Sequence, residues 1–150
     1  MTPLDLSEVR PGLVVRLDTE ALRAAGGSET NAQATAEQDR AVRGVHDFLV
    51  LAVDAARGVC TAVPLFPKTA PGSSPLDRRK RAGDAAGWHE APAFFSHWQH
   101  WRIPLAALSA AAADDPGAPG ARRSFAATDA DALQDVLNWA SRNRCAFRPA

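Results

Sequence analysis

A mainly β chain with a C-terminal helix, α+β in class and built as a small antiparallel barrel with long loops, is the fold that three stretches of the sequence predict. The first is a pair of apolar runs, "HDFLVLAVD" and "VCTAVPLF", joined by the tight connection "AARG". Runs of that length, rich in branched residues and bounded by turn residues, read as an antiparallel hairpin buried on both faces. The second is "FFSHWQHWRIPL", residues 94–105, an aromatic run between Pro92 and Pro104. The third is an apolar stripe, Leu133, Val136, Leu137 and Ala140, at the i, i+3, i+4, i+7 spacing of one helix face.

The elements follow in order. In "RPGLVVRLD", Pro11 and Gly12 make a turn and Leu13–Leu17 a strand. Residues 21–41 are polar, contain Gly26-Gly27 and read as a long loop with one marginal helical turn. The hairpin pairs Phe48–Asp54 with Gly58–Phe66. Residues 68–87, which include the basic run "DRRKR", form a second long loop. The aromatic run is too short between its prolines for a good helix and reads as one strand. Phe95, His97, Gln99, Trp101 and Ile103 then share one face, with Phe95, Trp101 and Ile103 as its core; Phe94, Ser96, Trp98, His100 and Arg102 share the other. "LAALSAAA" is a short helix leading into a third loop, 112–124. Thr128 or Asp129 caps a final helix over residues 129–142, with acids at its positive end and Arg142 and Arg144 at its negative end.

Length and composition set the class. The 150 residues suit one domain, 1–150, and 46% apolar residues exclude a wholly disordered chain. Seventeen basic residues balance seventeen acidic ones, which excludes a bulk electrostatic pull toward nucleic acid or membrane. The balance is uneven: residues 1–47 hold eight acids and five bases, residues 48–150 nine acids and twelve bases, so the second part is the better anion binder. Cys60 and Cys145 are far apart and in no metal-binding spacing, and His89, His97 and His100 add no ligand pattern; no metal and no cofactor is expected. "MTPLDLSEVRPG" has no signal-peptide pattern and no apolar run is long enough to span a bilayer, so the expectation is a cytoplasmic protein without a membrane partner.

The succession of strand, long loop, apolar hairpin, loop, aromatic strand and terminal helix is shared by SH3-like barrels, and it resembles the MazF/PemK family of toxin endoribonucleases over most of the chain. "RPGLVVRLD" is similar to that family's first strand, "RGVHDFLVLAVD" to its second with a preceding arginine, and "VCTAVPLFPK" to its third. "WQHWRIPLAAL" resembles its later strand, which carries a Gln and an Arg before a short helix. The resemblance implies a toxin-like, RNA-binding, metal-independent endoribonuclease. In it a 2′-hydroxyl of single-stranded RNA attacks the adjacent phosphate, and an arginine and a threonine are the catalytic pair. A small acidic antitoxin-like protein would be the partner, and a homodimer the assembly to test. Arg43 stands at the arginine position. Phe66 and Pro67 stand where the threonine is expected, and Thr69 follows a few residues late, so the chain departs from the pattern at a catalytic hydroxyl.

The remaining candidates are binding residues. His46 lies beside Asp47, and a histidine near a carboxylate can act as a base near neutral pH, but neighbours on a strand face opposite ways. Lys68, Arg78, Arg79, Lys80 and Arg81 would attract phosphate or an acidic segment. Trp98, His100 and Arg102 interleave aromatic and cationic groups, as single-stranded nucleic-acid sites do. Two functions remain in view: the toxin-like endoribonuclease or a catalytically degenerate relative, and a non-catalytic SH3-like module that binds a protein or peptide through the aromatic edge and basic loop.

Overall fold

The computed structural model describes residues 4, 6–32, 41–69, 72–83, 88–96, 99–112, 123–125, 133–134, 136, 138 and 147–150. They form a mainly β, antiparallel fold with helices. The strands are β1 (Leu13–Asp18), β2 (Glu29–Thr30), β3 (Val45–Asp54), β4 (Val59–Phe66), β5 (Ser73–Pro75), β6 (Arg81–Gly83), β7 (Phe94–Ser96), β8 (Trp101–Pro104), β9 (Arg123–Phe125) and β10 (Arg148–Pro149). Helix α1 spans Thr19–Ala25 and α2 Leu105–Ala111; Leu133, Gln134, Val136 and Asn138 are also helical.

The β3–β4 hairpin is the centre. Gly58, at φ +66°, closes its turn, and Asp54 Oδ1 accepts from the Arg57 N–H at 3.1 Å. The turn conformation favours glycine because a Cβ is strained there. β1 pairs with β3 from Val14↔Leu49 to Asp18↔Val45. The full order is β10-β2-β8-β4-β3-β1-β9-β6, with β7 on β4 and β5 on β7.

Side chains alternate along this hairpin between two cores. Leu13, Val15 and Leu17 of β1, Phe48 and Val50 of β3, and Cys60 and Ala62 of β4 face one, which α1 and α2 cover with Leu22, Ala107 and Leu108. Val14, Leu49, Leu51, Val63 and Leu65 face the other, with Leu76, Trp88, Phe95, Leu133 and Val136. Trp101, wholly buried, is the hub of the first. Its ring meets Phe48 edge-on at 5.7 Å, and its indole N–H donates to Gln99 Oε1 at 2.7 Å. The same Gln99 oxygen accepts from the Val42 N–H at 3.1 Å, and Arg23 lies 5.5 Å from the indole centroid while donating to the Val42 carbonyl.

The expected closed barrel is not formed among the described residues. The ends of the strand path are β10 and β6, which do not pair, because each edge of the central strands is taken by a short strand from elsewhere in the chain. The expected single aromatic strand is also two strands. Leu65 pairs with Phe95 and Ala62 with Trp101, so three steps along β4 (65 − 62) match six along its partner (101 − 95). The difference of three is odd, which reverses the alternation between Phe95 and Trp101. Phe95 therefore enters the second core while Trp101 and Ile103 enter the first, rather than sharing one face. Pro64, with no N–H to offer a ladder, stands where β4 changes partner.

The segments read as long loops carry structure. Within 21–41, most of α1 and all of β2 are formed, and Leu22 and Asn31 are buried. Within 68–87 lie β5, a 3-10 turn at Arg78–Lys80 and β6. Helical spacing was weak in the first because α1 is only seven residues long and is held by tertiary contacts: its N-cap Asp18 accepts from the Glu20 N–H, and Thr19 bonds the Gly44 carbonyl. Of the final helix, Leu133 and Val136 are buried as expected; Leu137 lies outside the described residues.

Trp101→Phe keeps most of the ring but removes the donor to Gln99. A loss of about 0.5–1.5 kcal/mol is expected from urea unfolding, the range for losing one hydrogen bond, since the Val42 N–H still satisfies the Gln99 oxygen. Trp101→Ala, which also empties the hub, is expected to lose about 3–5 kcal/mol.

Candidate functional site

The hairpin has a closed end at Gly58 and an open end where β3 begins and β4 stops. At the open end lies a cleft of about 460 Å³, lined among others by Arg16, His46, Asp47, Phe66, Trp88 and Pro92. Its position follows from the pairing. Arg16 and Asp47 are opposite one another across β1 and β3, on the face that further along carries Val14 and Leu49. That core narrows at its edge, and the two charged side chains stand at its mouth. His46 lies on the alternate face, its ring 5.6 Å from Phe66 in an edge-on contact and its Nδ1 3.4 Å from the Leu65 carbonyl oxygen. Trp88 and residues 91–93 close the other side.

This wall is fastened by Arg81. The side chain is 6% exposed. One terminal nitrogen donates to the Trp88 carbonyl at 2.8 Å and to the Ala91 carbonyl, and the other donates to the Leu76 carbonyl at 3.0 Å. The guanidinium also lies 4.7 Å from the Trp88 ring centroid. Burial holds its pKa below the usual arginine value, and the neighbouring charge of Arg78 adds to that. Within "DRRKR" the four basic residues are thus unlike. Arg81 is buried as a tie, Lys80 is half-buried, and Arg78 and Arg79 are exposed, with Arg79 paired to Asp77 at 3.2 Å.

Of the expected catalytic pair, Arg43 immediately precedes Gly44 and β3, and Thr69 follows the end of β4. Both are exposed at the open end of the hairpin. Arg43 lies 3.6 Å from Glu20 and its side chain is 58% exposed. Lys68 is exposed beside Thr69. His46 is the expected binding residue that lines the cleft, and Arg16, Phe66 and Trp88 join it there. The sequence held a signal for two of these: Arg16 interrupts an apolar strand, and Trp88 is a large aromatic within a polar stretch.

The expected aromatic edge is differently employed. His97 and Trp98 lie outside the described residues. His100 and Arg102 hold Phe147: the Arg102 guanidinium is 3.7 Å from its ring centroid, and the His100 ring stacks on it at 6.5 Å. β10 continues this docking by pairing with β2, and the Ala150 N–H donates to the Ser28 carbonyl at 3.0 Å. His100 is further fixed through its backbone, which accepts from Thr30 Oγ1 and donates to Asn31 Oδ1. Its Nε2 is buried without a hydrogen-bond partner.

Cys60 is buried in the first core, and burial pushes its thiol up to about 12, so it remains protonated and unreactive near neutral pH. Among the described residues, no three His, Cys, Asp or Glu side chains gather as a metal site. No helix there is long and apolar enough to cross a membrane. No family model, no curated protein and no solved structure matches the chain.

The contact of His100 with Phe147 is expected to be pH-dependent. Burial, and then the charge of Arg102, hold its pKa below the usual 6.5. The unfolded or undocked form therefore binds the proton more readily. The stabilisation is complete above pH 6.5 and is lost as pH falls through the depressed value. Amide exchange at Ala150, corrected for intrinsic rate, is expected to quicken as pH falls below 6.5. His100→Gln is expected to remove that pH dependence.

Proposed function

We propose that this domain is a non-catalytic interaction module that takes an extended peptide segment of a partner protein into the cleft at the open end of the β3–β4 hairpin. The observation that carries the reading is the composition of that cleft. Phe66, Trp88 and Pro92 offer apolar walls for one anchoring side chain, while Arg16 and Asp47 offer one charge of each sign at the mouth. Small sites of this build, apolar with a few convergent polar groups, bind by burying an anchor and orienting it with hydrogen bonds. A polyanion would meet Asp47 together with Arg16, so the cleft suits a peptide better than a phosphate chain. The β8 edge is the weaker docking surface, because Phe147 already covers His100 and Arg102.

A second reading is supported by one observation. Arg43 and Thr69 lie at the same end of the hairpin as the cleft, in the order that the MazF/PemK resemblance requires. On that reading the chain is a toxin-like, metal-independent endoribonuclease, with Arg43 stabilising charge on the phosphate.

A displayed library of random peptides separates the two. Selected binders are expected to share one large apolar residue. Val45→Lys, a change at an exposed lining position, is expected to weaken them by about tenfold or more, the effect of a charge in an apolar anchor site. A library that yields no such binders overturns the module. Single-stranded RNA incubated with the protein and a chelator is expected to remain whole. Cleavage to a cyclic phosphate that Arg43→Ala abolishes would replace the first reading by the second.

A further inference from the structure

The geometry points to a second site: the pocket beside the Arg78–Lys80 turn binds a phosphate monoester carried on a small apolar body. This does not rest on the reading of the cleft. The pocket has a volume of about 440 Å³ and lies on the other side of Pro92 and Ala93, which line both. Arg78, Arg79 and Arg81 line it, and Asp77 is the single acid among the described lining residues. Asp77 is already engaged. Its Oδ1 accepts from the backbone and Nε of Arg79, and its Oδ2 from an Arg79 terminal nitrogen at 3.2 Å. Three arginines against one aspartate leave two positive charges, on Arg78 and Arg81.

Arg81 is the unusual member. It is more than nine-tenths buried, and its acceptors are three neutral carbonyls. Its Nε–H is buried with no acceptor at all. A buried cation is ordinarily compensated by an anion, because carbonyl dipoles replace hydration without cancelling the charge. Arg78 makes the deficit larger, since the two guanidinium groups repel; that repulsion is one of the causes depressing the Arg81 pKa. An oxyanion seated between them would relieve the repulsion and accept charge-assisted hydrogen bonds from Arg78.

The rest of the pocket decides what carries the oxyanion. Leu76, Ala93, Pro75 and Phe94 form an apolar wall. The volume is several times that of a bare phosphate, and Phe94 is only half-buried, which leaves a ring face for an apolar group. A dianionic phosphate matches the two uncompensated charges better than a carboxylate does.

The test follows the Arg81 Nε–H by ¹⁵N-resolved NMR of the full chain, with phenyl phosphate, inorganic phosphate and phenol as probes at constant ionic strength. Phenyl phosphate is expected to shift that resonance saturably and to bind about tenfold more tightly than inorganic phosphate. Phenol is expected to shift it little. Arg78→Gln, an exposed change that spares the buried tie, is expected to weaken phenyl phosphate by about tenfold, as loss of one charge-assisted contact does. An equal response to phenol, an equal response to sodium chloride, or unchanged affinity in Arg78→Gln would overturn the site. So would inorganic phosphate binding as tightly as its phenyl ester. Peptide binding at the cleft, read separately through Val45→Lys, is unaffected by any of these outcomes.

Discussion

Burial of the β3–β4 hairpin on both faces is the constraint from which the remaining structure follows. A strand pair that is apolar on both sides must be covered twice, and 150 residues leave little material for each cover. The chain meets this with helices α1 and α2 on one face and with Leu76, Trp88, Ala93, Phe95, Leu133 and Val136 on the other. β4 serves both layers, giving one stretch of its edge to β8 and the next to β7. The bulge at Leu51, between the pairs Val50↔Ala62 and Ala52↔Thr61, adjusts β3 to the same task.

The second cover combines buried apolar residues with a run of charged ones. Arg81 adds a polar tie to it. By collecting carbonyls from Leu76, Trp88 and Ala91, it ties together stretches of chain whose buried apolar residues include Leu76, Trp88, Ala93 and Phe95. Such a tie satisfies backbone acceptors but leaves a charge in a poorly solvated place, and two depressions of the surface form on either side of the segment it secures. Structural need and binding capacity thus arise from one residue.

The hairpin, β1, the short helix after Pro104 and the burial of Leu133 and Val136 in the last helix are legible in the sequence because their signals are periodic and local. Residues 19–32 and 72–83 are not. Their elements are two to seven residues long and are fixed by distant partners, as Thr19 is by Gly44 and Arg102 by Glu29 across β2 and β8. No window of sequence contains such a signal. The aromatic run shows a different limit: composition indicated strand correctly, but the parity change between Phe95 and Trp101 depends on β4, which lies some thirty residues earlier. For the site, His46 was legible as a polar residue at the start of an apolar strand. The sequence groups Arg81 with its neighbours as one of a run of cations that would attract phosphate or an acidic segment, because nothing in "DRRKR" distinguishes the one arginine that turns inward.

The borders of the sheet are recruited from remote parts of the chain: Thr30 pairs with Trp101 on one side and with Arg148 on the other, and Val14 pairs with Arg123. Contacts so far apart in sequence make for slow folding, since loops must close before the pairings repay them. During synthesis the hairpin can assemble early, but the outer edge of β2 stays bare until residues 148 and 149 have left the ribosome. For that interval the nascent chain presents an open strand edge to its surroundings, the geometry through which unfinished β proteins pair with one another. The two-residue β10 then moves the open edge from β2 to itself, and with Pro149 in it offers a second chain a shorter ladder than β2 would.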